Sequence, residues 1–335
     1  MKNKLSTNIF LLIGIIAFTI SCDKREQGIN FPPGVSDNVS TTAQKQGLTI
    51  FSSALKIAKM DTAFQYLGQY TIFAPTDAAF TAAGITIANL SAIPEATLRT
   101  ILRNHILPGR TTSFSFLPGP NAAYGNINRD FVYTSTYLST TPGVGSNAGV
   151  YFNGVKIVNT DFLANNGVIH SINGILLPAS GNLTATLALN PDLTYLAAAI
   201  TTAGLTNSLN NGTAAITLLA PNNAAFIAAG FPTIASITAA SPTTLSAILR
   251  LHVIPASSVP LAIGNGRLFS PDFRSQNYLS LNGNIVSTVT GTSPAFRGAG
   301  NTSDATILNA NILFRSFIAT GAPSVMHITN RVLLP

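Results

Sequence analysis

Four histidines (His105, His170, His252 and His327), eleven dispersed acids and a lone cysteine, Cys22, are the residues through which this 335-residue chain could do chemistry. Imidazoles serve as metal ligands or as acid–base groups. A metal centre needs three or four ligands with supporting partners behind them. Each half of the chain holds two histidines, with no shared acid beside them, which falls short of such a set. His105 and His252 lie on apolar helical faces among Leu and Ile; His170 and His327 sit in strand-like runs of Val, Ile and Met. The expectation is four packed imidazoles whose N–H groups satisfy buried backbone carbonyls. No pair of acids recurs between the halves, so a two-carboxylate glycosidase site is unsupported. There is no G-x-S-x-G elbow, and Gly264-Asn265-Gly266 reads as an isolated turn, not a phosphate cradle. Neither a catalytic residue, a metal set nor a cofactor is expected. Tyr124, Tyr133, Tyr137 and Tyr151 would line a sugar platform if exposed.

Cys22 suggests a different chemistry. It closes the segment MKNKLSTNIFLLIGIIAFTISC, in which Lys2 and Lys4 precede an apolar run from Ile9 to Ile20. That run is short for a bilayer span and suits a secretory leader. Ser21-Cys22 followed by DKREQ resembles a bacterial lipoprotein processing site, although Thr19 stands where Leu is usual. A secreted chain with one cysteine cannot use it for an internal disulfide. Residues 1–21 are therefore expected to be a signal peptide, and Cys22 to carry palmitate-type acyl chains that make the membrane a partner. The expected location is the cell envelope: an outer-membrane lipoprotein, surface-exposed or facing the periplasm. The alternative is an incidental cysteine in an ordinary signal or anchor. Residues 22–46, rich in Pro, Gly, Ser, Thr and charge, read as a flexible tether.

These residues need a scaffold, and composition bounds it. Hydrophobic residues make up 46% of the chain, enough for substantial cores; charged residues make up 9%, so polarity comes from Thr, Ser and Asn. That balance fits a strand- and turn-rich extracytoplasmic protein. The net charge of +7 is scattered, with no Lys/Arg block, and implies no nucleic-acid partner.

Three strings occur twice in the same order. TIFAPTDAAFTAAG (71–84) matches TLLAPNNAAFIAAG (217–230); LRTILRNHILPG (98–109) matches LSAILRLHVIPA (245–256); GVIHSINGILLP (167–178) matches SVMHITNRVLLP (324–335). The chain is thus a duplication, with domains at 47–179 and 180–335. The first motif predicts a buried strand ended by Pro75 or Pro221, then a helix capped by Thr76/Asp77 or Asn222/Asn223 and closed by Gly84 or Gly230. The second predicts a helix, with Leu98, Ile101, Leu102 and His105 at i, i+3, i+4 and i+7. The third predicts a strand, a turn at Asn173-Gly174 and a second strand, Ile175-Leu176-Leu177. Asn153-Gly154 and Asn282-Gly283 predict hairpins.

The order of TIFAPTDAAF, a helix ending NHILPG, FNGVKIV and NTDFLANNGVIHSINGILLP resembles the fasciclin domain, and the second copy, divergent at Ala322-Pro323-Ser324-Val325, resembles it more loosely. The resemblance covers about residues 46 to 335. It implies an α+β fold in each domain, a twisted antiparallel β-wedge with packed helices, and adhesion to cells, matrix or glycans. Some animal members carry a Tyr-His pair near the second motif; here Asn104 precedes His105 and Leu251 precedes His252. They also use an Asn-x-Asp-Ile-type segment, which Asn159-Thr160-Asp161-Phe162-Leu163 resembles. The resemblance thus implies Asn159, Asp161, Leu163 and His105 as binding residues. In the second copy Phe314-Arg315-Ser316-Phe317-Ile318 is aligned with that segment and lacks its acid. The function implied is a lipid-anchored, non-catalytic adhesion protein with a glycan or protein ligand. The alternative is an accessory or scaffold subunit of an envelope carbohydrate-uptake complex, with a complex partner instead of an external ligand. A hydrolase is the third possibility.

Overall fold

The computed structural model describes residues 34–62, 64, 68–137, 148–212, 214–259, 267–290, 293–315 and 323–335. The leader, Cys22 and Gly264-Asn265-Gly266 lie outside the described residues. In the first copy the order is α1 (Val39–Lys45), α2 (Thr49–Ile57), β1 (Tyr70–Pro75), α3 (Asp77–Ala82), α4 (Glu95–Asn104), β2 (Ile106–Pro108), β3 (Gly119–Gly125), β4 (Phe131–Tyr137), β5 (Gly149–Phe152), β6 (Val155–Ala164) and β7 (Gly167–Ile172). The second copy repeats it with α5 (Leu183–Ala188), α6 (Thr194–Thr202), α7 (Thr206–Asn210), β8 (Ile216–Pro221), α8 (Asn223–Ala228), α9 (Ile234–Thr238), α10 (Pro242–Leu251), β9 (Val253–Pro255), β10 (Gln276–Ser280), β11 (Gly283–Thr290), β12 (Ser293–Arg297), β13 (Ala305–Phe314) and β14 (Ser324–Thr329).

The two sheets have the same topology: β2-β1-β7-β6-β5-β4-β3 and β9-β8-β14-β13-β12-β11-β10. Each domain is α+β, as expected, but the sheets are mixed. β1 runs parallel to β7 and β8 parallel to β14, while every other pairing between the described strands is antiparallel. Both β7 and β14 are buried along their whole length, as strands covered on both faces are. Successive strand residues point to opposite faces. Ile72 therefore joins Phe51, Leu55, Phe80, Leu98 and Leu102 under the helices, and Phe73 joins Phe116, Val132 and Phe152 on the other face. Leu218 and Leu219 divide in the same way in the second copy.

The paired polar residues after each first strand do two jobs. Thr76 Oγ1 accepts from the Ala79 N–H at 3.2 Å and Asn222 Oδ1 from the Ala225 N–H at 2.9 Å, capping α3 and α8. Asp77 Oδ1 instead accepts from the Ile50 N–H, and Asn223 Oδ1 from the Tyr195 N–H, closing the first turns of α2 and α6, whose own N-cap residues are leucines. Gly84 and Gly230 follow α3 and α8 at φ +74° and +93°, where a side chain would be strained.

Two expectations are corrected. The tether does not extend to residue 46: Asn38 caps α1, and Val39 and Ala43, one turn apart, are fully buried against the first core. Ile175-Leu176-Leu177 is not a strand, because its backbone bonds to α4 side chains instead of to a neighbouring strand.

Candidate functional site: strand β6, the histidines and the domain joint

The histidines form two matched pairs. His105 and His252 end α4 and α10, each giving its Nδ1–H to the carbonyl one turn back, Ile101 at 2.8 Å and Ile248 at 2.9 Å. Each Nε2 then accepts from the N–H of a distant residue, Leu176 at 2.9 Å and Leu333 at 2.8 Å. The ring latches the segment after the last strand onto the helix. Asn104 adds a bond to the Leu176 carbonyl at 2.9 Å. Burial lowers both imidazoles from 6.5 to about 4, against the backbone bonds that favour protonation. His170 and His327 give Nε2–H to the carbonyls of Thr111 and Leu268 and accept at Nδ1 from the amides of Asp161 and Asn311. Burial lowers these as well, His327 to about 4. Among the described residues no group of three or more His, Cys, Asp or Glu could hold a metal.

Asp161 and Asn311 occupy matching bulges at φ +62° and +63°. Asp161 accepts from the Ser113 amide and hydroxyl; Asn311 accepts from the Ser270 amide at 2.8 Å and donates to the Ser270 hydroxyl at 3.0 Å. Partial burial alone would raise the Asp161 carboxyl, but the Ser113 bonds outweigh it and the group sits below its ordinary value. Strand register also moves the second-copy counterpart. Phe162 pairs with Ile169 as Ile312 pairs with Met326, so Asn309-Ala310-Asn311-Ile312-Leu313, not residues 314–318, stands where 159–163 stands. Residues added between β13 and β14 hide this in the sequence. The acid is still replaced, by an amide that makes the same contacts.

Of the four implied binding residues, three share β6. Asn159 and Leu163 are exposed, Leu163 by 40%, and Asp161 is partly exposed. Asn159 donates to Ser171 Oγ at 2.9 Å. His105 is 1% exposed with both nitrogens engaged, so it does not join that surface. The tyrosine platform is also corrected: Tyr133, Tyr137 and Tyr151 are buried, and Tyr124 packs on Phe116. Tyr133 and Tyr137 face the other domain.

That joint eluded sequence reasoning. The Tyr137 hydroxyl donates to Asp272 Oδ1 at 2.6 Å, Asn121 Nδ2 to the Arg267 carbonyl at 2.9 Å, and Arg315 to Asp130 Oδ2 at 2.6 Å. Arg267 lies 4.2 Å over the Tyr133 ring and Arg274 4.5 Å over Tyr137. Burial raises Asp272 to about 6 despite the Tyr137 bond that favours its anion. Beside the joint, the Asn153-Gly154 hairpin abuts Asn311, and a cleft of about 500 Å³ opens between Val155 and Ile175–Pro178 of one domain and Leu189, Asn309–Leu313 and Met326 of the other.

Fold and site define a duplicated α+β module that presents a surface and an interdomain cleft. The chain belongs to the fasciclin domain family: that family's model, Fasciclin domain, matches residues 46–178 and 191–335. It is 33% identical over 177 residues to transforming growth factor-beta-induced protein ig-h3 of Sus scrofa, covering 52% of this chain and 24% of that one. It is 28% identical over 142 residues to protein sll1483 of Synechocystis sp., covering 42% of this chain and 72% of that one. The chain thus spans about a quarter of the ig-h3 relatives it matches. A solved FAS1 domain pair from the insect cell adhesion molecule fasciclin I matches with a TM-score of 0.39 and 15% identity, over 88% of this chain and 98% of that one.

Proposed function

We propose that the chain is a lipid-anchored extracytoplasmic protein that binds a macromolecule or glycan in adhesion and performs no catalysis. One observation carries the reading: all four imidazoles are buried with both ring nitrogens bonded to backbone groups, while the β6 segment offers Asn159 and Leu163 to solvent. Membership of the fasciclin family agrees with it. No described helix is long and apolar enough to cross a membrane. The anchor in this reading is acylated Cys22.

A glycan and matrix array probed with the purified chain tests binding, with Leu163→Arg as the surface variant. Saturable binding weakened by that variant supports adhesion through β6. Labelled palmitate incorporated by the native sequence but not by Cys22→Ala supports the anchor, and protease shaving of intact cells reports the exposed face. A stoichiometric membrane partner recovered without any array ligand would assign instead an accessory or scaffold role in an envelope carbohydrate-uptake complex.

A further inference from the structure

The interdomain cleft has the properties of a small-ligand site. Its volume of about 500 Å³ falls within the range of ligand pockets, roughly 300–1,000 Å³. Val155, Leu177, Leu189, Leu313 and Met326 supply apolar wall from both domains. Leu189 and Leu177 are 71% and 58% exposed, so their apolar surface is available to a ligand. None of the described lining residues is charged; the polar ones are asparagines, a serine and a threonine.

One of those asparagines is locked in place. Asn153 is 4% exposed, and its Oδ1 accepts from the Tyr133 N–H at 2.9 Å, which fixes the amide orientation. Its Nδ2 has no hydrogen-bond partner among the described residues. The residue cannot swing away, because Asn153-Gly154 is the tight turn between β5 and β6 and Gly154 is packed on Asn311. That nitrogen is shut off from solvent, so the oxygens of a ligand meet instead the exposed Asn309 and the half-buried Asn190 and Asn311 on the cleft wall. Charged ligands are disfavoured, because a charge taken from water into a lining without counter-charge is left uncompensated.

We propose that the cleft binds an uncharged amphipath, a molecule with an apolar chain or ring that carries hydroxyl or carbonyl oxygens. The apolar part lies on the leucine and methionine wall, the oxygens face the amide groups of Asn190, Asn309 and Asn311, and both domains contribute contacts. This site is separate from the β6 surface and does not depend on a macromolecular ligand.

The test titrates the full chain with n-octyl β-D-glucoside, kept below its micelle-forming concentration, by calorimetry. Sodium octanoate is the charged comparison. Saturable one-to-one binding is expected, weakened about tenfold or more by Leu189→Glu, which removes a contacting leucine and adds a charge. Leu177→Gln is a second cleft variant and should weaken binding in the same direction. Phe114→Glu, at a residue 96% exposed and absent from the cleft lining, should leave it unchanged. Absence of saturable binding, equal affinity for octanoate, or binding indifferent to both cleft variants would overturn the proposal.

Discussion

Replacing His105 with leucine should make the chain less stable at neutral pH and less sensitive to acid. The buried ring is held near 4 against an ordinary 6.5. Below 6.5 the unfolded chain takes up a proton that the folded chain refuses, so stability present above 6.5 is lost as the pH falls toward 4. At about 1.4 kcal/mol per pH unit, this ring loses about 2 kcal/mol by pH 5 and about 3 kcal/mol by pH 4. His252 and His327, also lowered to about 4, act with the same sign in the second domain. Asp272 acts with the opposite sign: its folded value, about 6 against 3.8, gives stability at low pH that is lost as the pH rises through 6. It returns roughly 1 kcal/mol by pH 5. His105→Leu leaves the Leu176 N–H without its acceptor, at a cost of about 2 kcal/mol at neutral pH. It also removes the ring's acid penalty. Urea unfolding followed by circular dichroism, at about pH 7.5 and about pH 5, should show the native and variant curves separated at the higher pH and nearly superposed at the lower. A gap that stays the same at both would refute the claim that the folded ring is neutral.

Asp161→Asn should be nearly silent in unfolding experiments, since Asn311 fills the same role, whereas Asp161→Ala should cost about 1–2 kcal/mol through lost Ser113 bonds and a side chain unsuited to φ +62°. In a double-mutant cycle, Tyr137→Phe and Asp272→Asn should couple by about 1–3 kcal/mol, and both should loosen the domain joint in small-angle scattering; zero coupling would remove that bond from the account. Asn222→Ala should lower the second domain's stability by about 1 kcal/mol, and Asn222→Ser should restore most of it if capping is the cause. Gly167→Ala should be among the most damaging single changes, since its Cβ would lie 2.4 Å from the Tyr70 carbonyl oxygen; native-like unfolding of that variant would show that β1 and β7 can separate freely.

Local chemistry was readable from residue types. The cap at Thr76 and Asn222 is written within three residues, and the structural role of the histidines follows from their apolar neighbours. The partners of those histidines were not readable: Leu176 and Leu333 lie 71 and 81 residues along the chain, and no periodicity specifies such a pairing. The parallel β1–β7 match is hidden for the same reason, since strand pattern indicates burial but not a neighbour's direction. Helix α1 leaves little trace in the sequence because only Val39, Thr42 and Ala43 of its seven residues are buried, too short a stripe beside a Pro- and Gly-rich stretch, although Asn38 is a legible cap. The tyrosines resembled an exposed platform because nothing in one domain's sequence reveals that a second domain covers them. The longer β13–β14 connection shifts the sequence match away from 309–313, so the register alone reveals that counterpart.

The side-by-side placement of β1 and β7 has a consequence for how the protein is made. Tyr70 is matched with Gly167, so the first strand to leave the ribosome waits for the last before its inner edge is filled. The His105 latch closes later still, when residue 176 emerges. Until then a hydrophobic strand remains open to wrong partners, as long-range pairings generally do during synthesis. The first domain should therefore acquire protease resistance in one late step, with ribosome-held chains ending near residue 150 as sensitive as far shorter ones.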